Sequence, residues 1–323
     1  MPLISTSYSP KGLFKNGHFS TVYSAKLRNA PTLHQKRERL SLLDGDFMDL
    51  DFSFAEKNTS SIAIILHGLE GNAQRTYIKG QSKILNDNGW DVCAVNYRGC
   101  SGETNRLFES YHAGKTGDLH HVVTFLLEKK NYGTIALIGF SLGGNLLLKY
   151  LGERVNLPKE IIAGVAISTP LHLKGSLEQL SQWKNWLYRT SFLYHLRKKY
   201  KEKIRLFPNE ATLELFKKID SLKTFDDIYT AAAHGFKDAY EYYEKNSSLQ
   251  FLSTIDVPVF ILNAKNDSFL SQKCYPFSLA EKSKNIYLET PNYGGHVGFH
   301  KTDKRYYSEE RTVQFLTSNI TDK

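Results

Sequence analysis

Ser141, Asp267 and His296 are the residues whose types and surroundings could together do nucleophilic chemistry: a hydroxyl, a carboxylate and an imidazole, each just past an apolar run. Ser141 is the most strongly marked. It lies in Gly139-Phe-Ser-Leu-Gly143, inside the stretch TIALIGFSLGGNLLLKYL at 134–151, which reads as strand, one sharp turn, then helix. The pattern G-x-S-x-G puts the serine on a strained turn above a sheet edge. Gly139 and Gly143 let strand and helix approach closely, because a Cβ at either place would meet the opposite backbone. The first amides of the helix favour negative charge on whatever bonds to Ser141. The competing reading is a glycine-rich strand–helix turn with an idle serine, and the β-branched strand and apolar helix that flank it favour the nucleophile.

Asp267 follows the strand Val257-Pro-Val-Phe-Ile-Leu262, whereas Asp256 precedes it, so only Asp267 reaches the edge that carries Ser141. His296 sits in Pro291-Asn-Tyr-Gly-Gly-His-Val-Gly-Phe-His300, after a strand over 285–290. Glycines on both sides allow that loop to carry an imidazole back across the site, with His300 as the competitor. In such a set His296 would take the Ser141 proton during attack on an acyl carbonyl. Asp267 would fix the imidazole tautomer and stabilise its charged form, and water would resolve the acyl-serine.

The elements that must position these residues alternate strand and helix. The opening to about residue 35 lacks periodicity and is expected to wrap over the domain. Alternation over 38–43 and 47–54 around Asp44-Gly-Asp46 predicts a hairpin of two antiparallel edge strands. Ser61-Ile-Ala-Ile-Ile-Leu-His67 predicts a strand buried on both faces, which empties into the loop Gly68-Leu-Glu-Gly-Asn72. His67 there is read as a structural hydrogen-bonder rather than a base. A helix over 76–88 and a strand over 91–96 follow, then a loop in which Arg98 is expected to brace its neighbours and Ser101 has no nucleophile turn around it. Asp118 suits the N-cap of a helix over 119–130, and another buried strand spans 160–168.

From 171 to 254 the rhythm gives way to helical patterns rich in aromatics, including Leu177, Leu180, Trp183, Trp186, Leu187, Phe192, Leu193 and Leu196. This reads as a helical cap inserted between core segments 1–170 and 255–323. Its aromatics are expected mainly to pack cap on core, with lining of an acyl pocket as the other reading. Thr224-Phe-Asp-Asp227 resembles a capping box ahead of a helix carried on by 231–243, and a helix over 309–318 closes the fold.

Composition narrows the partners. The three cysteines are too scattered for a disulfide framework or a zinc site, and His120-His121 has no ligand at metal spacing, so neither metal nor cofactor is implied. No apolar run approaches the roughly twenty residues of a membrane span, and the start lacks a signal-peptide pattern, from which we expect a cytoplasmic protein. The formal charge of +9 has one concentration, at 195–205, read by default as a solvated helix face. It comes without a nucleic-acid motif, so nucleic acid is not expected; peripheral membrane contact through the cap is the partner it leaves open.

His67-Gly-Leu-Glu-Gly71, Arg75-Thr-Tyr-Ile-Lys-Gly80, Asn96-Tyr-Arg-Gly-Cys-Ser-Gly102, Gly139-Phe-Ser-Leu-Gly-Gly-Asn145, Asp267 and Gly294-Gly-His-Val-Gly-Phe299, with Asn16-Gly-His-Phe19 and Tyr111-His112, resemble the YheT-like branch of α/β-hydrolases. The resemblance implies an α/β-hydrolase fold, with a mostly parallel central sheet, antiparallel N-terminal edge strands and an inserted helical cap. The chain order Ser141, Asp267, His296 is that of its triad, and the backbone N–H groups of Leu69 and Leu142 are the expected oxyanion donors. Where the family shows an acidic pair followed by proline, this chain has Asn266-Asp267-Ser268, leaving Asp267 as the sole acid there. The implied activity is a serine carboxylic-ester hydrolase for short to medium acyl chains. The alternatives are an alcohol acyltransferase or a lipid-directed lipase with the same triad, and a non-catalytic binding protein on the same fold.

Overall fold

Alternate residues of one strand serve two different cores. In the run 62–66, Ile62, Ile64 and Leu66 enter one apolar cluster while Ala63 and Ile65 enter another, which is why that run has no polar residue to offer solvent. The computed structural model describes residues 3–302 and 305–320; the first and last few residues of the expected core segments lie outside them. Among the described residues the strands are β1 (Leu3–Ile4), β2 (Lys36–Ser41), β3 (Phe47–Ser53), β4 (Ser61–Leu66), β5 (Asp91–Asn96), β6 (Thr134–Phe140), β7 (Ile161–Ile167), β8 (Val259–Leu262) and β9 (Ile286–Glu289). They form one sheet in the order β1-β9-β8-β7-β6-β4-β5-β3-β2, antiparallel at β2/β3 and β3/β5 and parallel elsewhere.

Helices cover both faces. Thr76–Asp87 and Tyr307–Ile320 pack on one side through Ile78, Leu85, Phe315 and Leu316, and Thr116–Lys130 and Leu142–Glu153 on the other through Leu119, Val122, Leu126 and Leu147. Between β7 and β8 come the helices Leu173–Ser181, Trp186–Leu206, Leu213–Lys218, Leu222–Phe225 and Ala239–Asn246. They hold a third apolar cluster that includes Leu196, Tyr200, Ile219, Leu222 and Phe225.

Several expectations change. Only β2 of the hairpin forms a rim, since β3 is paired on both sides. The opposite rim is β1, a two-residue strand from the aperiodic opening, too short to leave a pattern. Asp118 is not a cap: its helix starts at Thr116, and both carboxylate oxygens take hydrogen bonds from Arg98 at 2.7 Å. The capping box is formed by Ser221 and Thr224, three residues earlier than expected. The helix over 231–243 is broken before Ala239, where Asp238 caps a new one through the Glu241 N–H.

The basic run at 195–205 is also not one solvated face. Lys199 and Lys203 turn inward: Lys199 pairs with Glu70 at 2.9 Å, and Lys203 donates to Asn105 Oδ1 at 2.8 Å while burial lowers its pKa to about 8. Lys198, Lys201 and Arg205 remain exposed.

Arg98 braces its neighbours as expected, gathering Asp118, Asp44 (2.6 Å) and Asp46 (3.3 Å) around a guanidinium that is 3% exposed. Removing the cation leaves the buried Asp46 and Asp118 carboxylates without a counter-ion, beside the more exposed Asp44. Arg98→Met should therefore cost about 3–5 kcal/mol in urea unfolding at neutral pH, whereas a loss within about 0.5 kcal/mol would mean that solvent reaches the cluster.

Candidate active site

The chain turns from β6 into helix Leu142–Glu153 through Ser141, whose backbone lies at φ 53°, ψ −120°. Few non-glycine residues adopt such angles, and the cost is of order 1–3 kcal/mol. Packing on both sides enforces it. A Cβ on Gly139 would lie 2.3 Å from Gly143 O, and one on Gly143 would lie 2.4 Å from Leu66 O, so strand, turn and helix meet at backbone contact. The Ser141 N–H donates to Ile167 O (2.9 Å), and Ser141 O accepts from Gly144 N–H (2.9 Å) and Asn145 N–H (3.2 Å).

The three expected side chains come together. His296 Nε2 is 2.9 Å from Ser141 Oγ, and His296 Nδ1 is 2.8 Å from Asp267 Oδ2. A carboxylate only accepts, so Nδ1 carries the proton and Nε2 presents its lone pair to the serine hydroxyl. Asp267 is buried, and its other oxygen accepts the Phe269 N–H at 2.9 Å. The Phe269 ring stacks on the His296 imidazole with centroids 4.2 Å apart, which leaves the ring little room to turn.

The histidine loop is held largely by residues that carry no local signal of their role. Val297, β-branched, sits at φ 58°; Ser168 Oγ accepts its N–H and Ser24 Oγ donates to its carbonyl, each at 2.9 Å. The His296 N–H donates to Thr21 Oγ1 at 2.8 Å, and Thr21 in turn donates to Gly17 O. Asn266 explains its own departure from an acidic pair: Oδ1 accepts the Gly295 N–H (2.9 Å) and Nδ2 donates to Lys15 O (3.0 Å), tying the acid loop, the histidine loop and the opening segment together. An aspartate there would lack the amide donor.

His300, the alternative imidazole, is stacked on Phe14 and sits edge-on to Tyr23 and Tyr306. Asp256 is exposed at the other end of β8. His67 is fully buried with Nδ1 2.7 Å from Gly68 O; burial lowers its pKa to about 3, so it stays neutral and structural.

The loop after β4 lies against the serine turn, where a Cβ on Gly68 would be 3.2 Å from Ser141 Cβ. Its amides are mostly engaged: Gly68 N–H donates to Tyr77 Oη (3.1 Å), Glu70 N–H to Tyr111 Oη (2.9 Å) and Gly71 N–H to Gly68 O (3.0 Å). Between them the Leu69 N–H has no acceptor among the described residues. The Leu142 N–H, opening its helix, has no intrahelical partner.

Ser141, His296, Leu69 and Leu142 open onto a cavity of about 140 Å³. Leu177, Leu180, Phe192 and Leu196 form much of its opposite wall, so these residues of the inserted segment line a pocket. Trp183, Trp186 and Leu187 are instead 90%, 53% and 66% exposed and contribute little to packing.

Because Thr21 receives the His296 amide, Thr21→Val should slow phosphonylation of Ser141 by a fluorophosphonate about tenfold while leaving the unfolding midpoint nearly unchanged. An unaltered labelling rate would show that the histidine loop keeps its place without the opening segment.

A family model for the alpha/beta hydrolase fold matches residues 64–302. The chain is 31% identical to YheT of Escherichia coli (strain K12), named as a provisional esterase, over 91% of this chain and 87% of that protein. It is 26% identical to Phospholipase ABHD3 of Mus musculus over 92% of this chain and 74% of the relative. Among solved structures, the Pyrococcus furiosus esterase Pf2001 superposes with a TM-score of 0.59 at 18% identity, over 88% of this chain and 91% of that one, a likeness of fold. With its mostly parallel sheet and antiparallel hairpin, the chain belongs to the α/β-hydrolase superfamily, as an esterase- or lipase-like member of its YheT-like branch.

Proposed function

We propose that the protein hydrolyses carboxylic esters of short to medium acyl chains through an acyl-Ser141 intermediate. The observation that carries this reading is the chain of hydrogen bonds from Asp267 through His296 to Ser141, ending on an apolar cavity. In the proposed reaction Ser141 Oγ attacks the acyl carbon as its proton passes to His296 Nε2. The developing oxyanion takes the N–H groups of Leu69 and Leu142, which are preorganised and cost no rearrangement. Collapse expels the alcohol with the proton from His296. Water, deprotonated by the same nitrogen, then attacks the acyl carbon and frees the acid and the serine. Segment 171–254 acts as a cap whose leucines and phenylalanines receive the acyl chain, between the core segments 1–170 and 255–323.

A lipid-borne ester is favoured as a second reading by one surface. Trp183, Trp186, Leu187 and Tyr194 are exposed on and just before helix Trp186–Leu206, followed by exposed Lys198, Lys201 and Arg205, an aromatic–basic pattern suited to an anionic membrane interface. The name of ABHD3 as a phospholipase agrees with it.

Intact-mass analysis with a fluorophosphonate should give one adduct on the wild type and none on Ser141→Ala. His296→Ala should label and turn over nitrophenyl esters slower by about 10⁴-fold or more. A wild type that neither labels nor releases nitrophenol would sink the hydrolase reading. With added alcohols, products that include the transferred ester would move acyl transfer ahead of hydrolysis. For the lipid reading, flotation with vesicles of phosphatidylserine should carry the wild type upward and lose the Trp183→Ser/Trp186→Ser variant; equal flotation of both, or of neither, would rule out docking by this face.

A further inference from the structure

Asp226 is a half-buried carboxyl that the proposed reaction does not use. It opens a π-helical turn, Asp226–Ala231, and with Thr230 and Tyr243 it lies on the wall of the cavity that holds Ser141 and His296. Such turns are uncommon and recur at functional sites. Tyr243 Oη donates to Asp226 Oδ2 at 2.6 Å and Thr230 Oγ1 donates to Oδ1 at 2.7 Å. Among the described residues no lysine or arginine pairs with it; the neighbouring Lys223 is taken by Asp227.

A carboxylate offers about four acceptor positions, and two hydroxyls fill half of them. Asp226 is half-buried and lines the cavity, where a bound chain comes within its reach. Burial raises its pKa to about 6, so it is mostly ionised at neutral pH in surroundings that penalise the charge. An apolar residue would cost less here if the wall had only to hold a hydrocarbon chain.

The missing partner is a hydrogen-bond donor, and the surroundings select its kind. An ammonium would have to shed its water among Leu180, Phe192 and Phe225 and share the cavity with Lys199, already a cation on the same wall. A hydroxyl sheds far less and matches the two hydroxyls already in place. We propose that Asp226, oriented by Tyr243 and Thr230, is a subsite for a hydroxyl on the chain that occupies the cavity, so that the preferred substrates are hydroxylated esters. This rests on the ester-hydrolase reading above.

The test compares nitrophenyl esters of about four to about twelve carbons ending in methyl, hydroxyl, methoxy or ammonium groups. For at least one length the hydroxyl ester should exceed its methyl counterpart by about tenfold in kcat/KM. The methoxy ester, which accepts but cannot donate, should behave like the methyl one. Asp226→Ala and Asp226→Leu, which leave no acceptor, should bring the hydroxyl-to-methyl ratio close to one, while a single fluorophosphonate adduct on Ser141 reports an intact fold. The proposal is overturned if the wild type favours methyl at every length, if methoxy matches hydroxyl, if ammonium outranks it, or if both variants keep the preference. Hydrolysis of methyl-ended esters without a hydroxyl preference would remove only the subsite; no hydrolysis and no labelling would remove the esterase reading with it.

Discussion

The backbone of Ser141 is held where it would not rest by itself, and much of the surrounding structure depends on that constraint. Strand β6 and its helix can meet at this angle only because Gly139 and Gly143 bring backbone against backbone, with β4 as the anvil. Strain of this kind persists only where the surroundings over-determine it. Four of the five non-glycine residues with positive φ among the described residues, Glu70, Ser141, Ser168 and Val297, gather around this edge. Each belongs to a loop leaving a different strand. The sheet supplies the stiffness, and the loops are bent against it so that amides and side chains converge on one point.

Convergence also needs charge to be neutralised locally, since the carboxylates at the same edge, Glu70 and Asp267, are buried. Glu70 follows Leu69 directly, and its carboxylate is met by Lys199 and Tyr111 while Arg75 takes its carbonyl. The loop that presents the Leu69 amide is thus fixed to helix Trp186–Leu206 by an ion pair. One loop further along Arg98 neutralises Asp44, Asp46 and Asp118, none of them on the inserted helices, and Lys203 reaches the adjoining segment through Asn105 and the Leu107 carbonyl. Paired charges in such positions contribute position more than net stability.

Asp226 differs from these groups in having hydroxyls where they have counter-ions. An anion left with spare acceptor capacity on a cavity wall makes that wall chemically selective, because a chain that supplies a donor gains a bond that a plain chain leaves unmade.

Local sequence determined the strands β2 to β9, their mostly parallel pairing, the turn at Ser141 and the choice of Asp267 and His296 as the side chains that meet it, because each is written as a hydrophobic period or as a glycine pattern next to a chemically able residue. Periodicity reports burial along one element, and it does so without knowing what lies opposite. For that reason it did not tell a solvated lysine from Lys199, an N-cap from the Asp118 that binds Arg98, or a packing aromatic from the exposed Trp183. Those distinctions are decided by partners far away in the chain. Thr21 and Ser24 lie more than 270 residues from the loop they hold, and they carry no local signature because a hydroxyl that accepts one distant amide looks like any other hydroxyl. Only the closed tertiary structure, which brings the opening segment across the sheet edge, makes them part of the site.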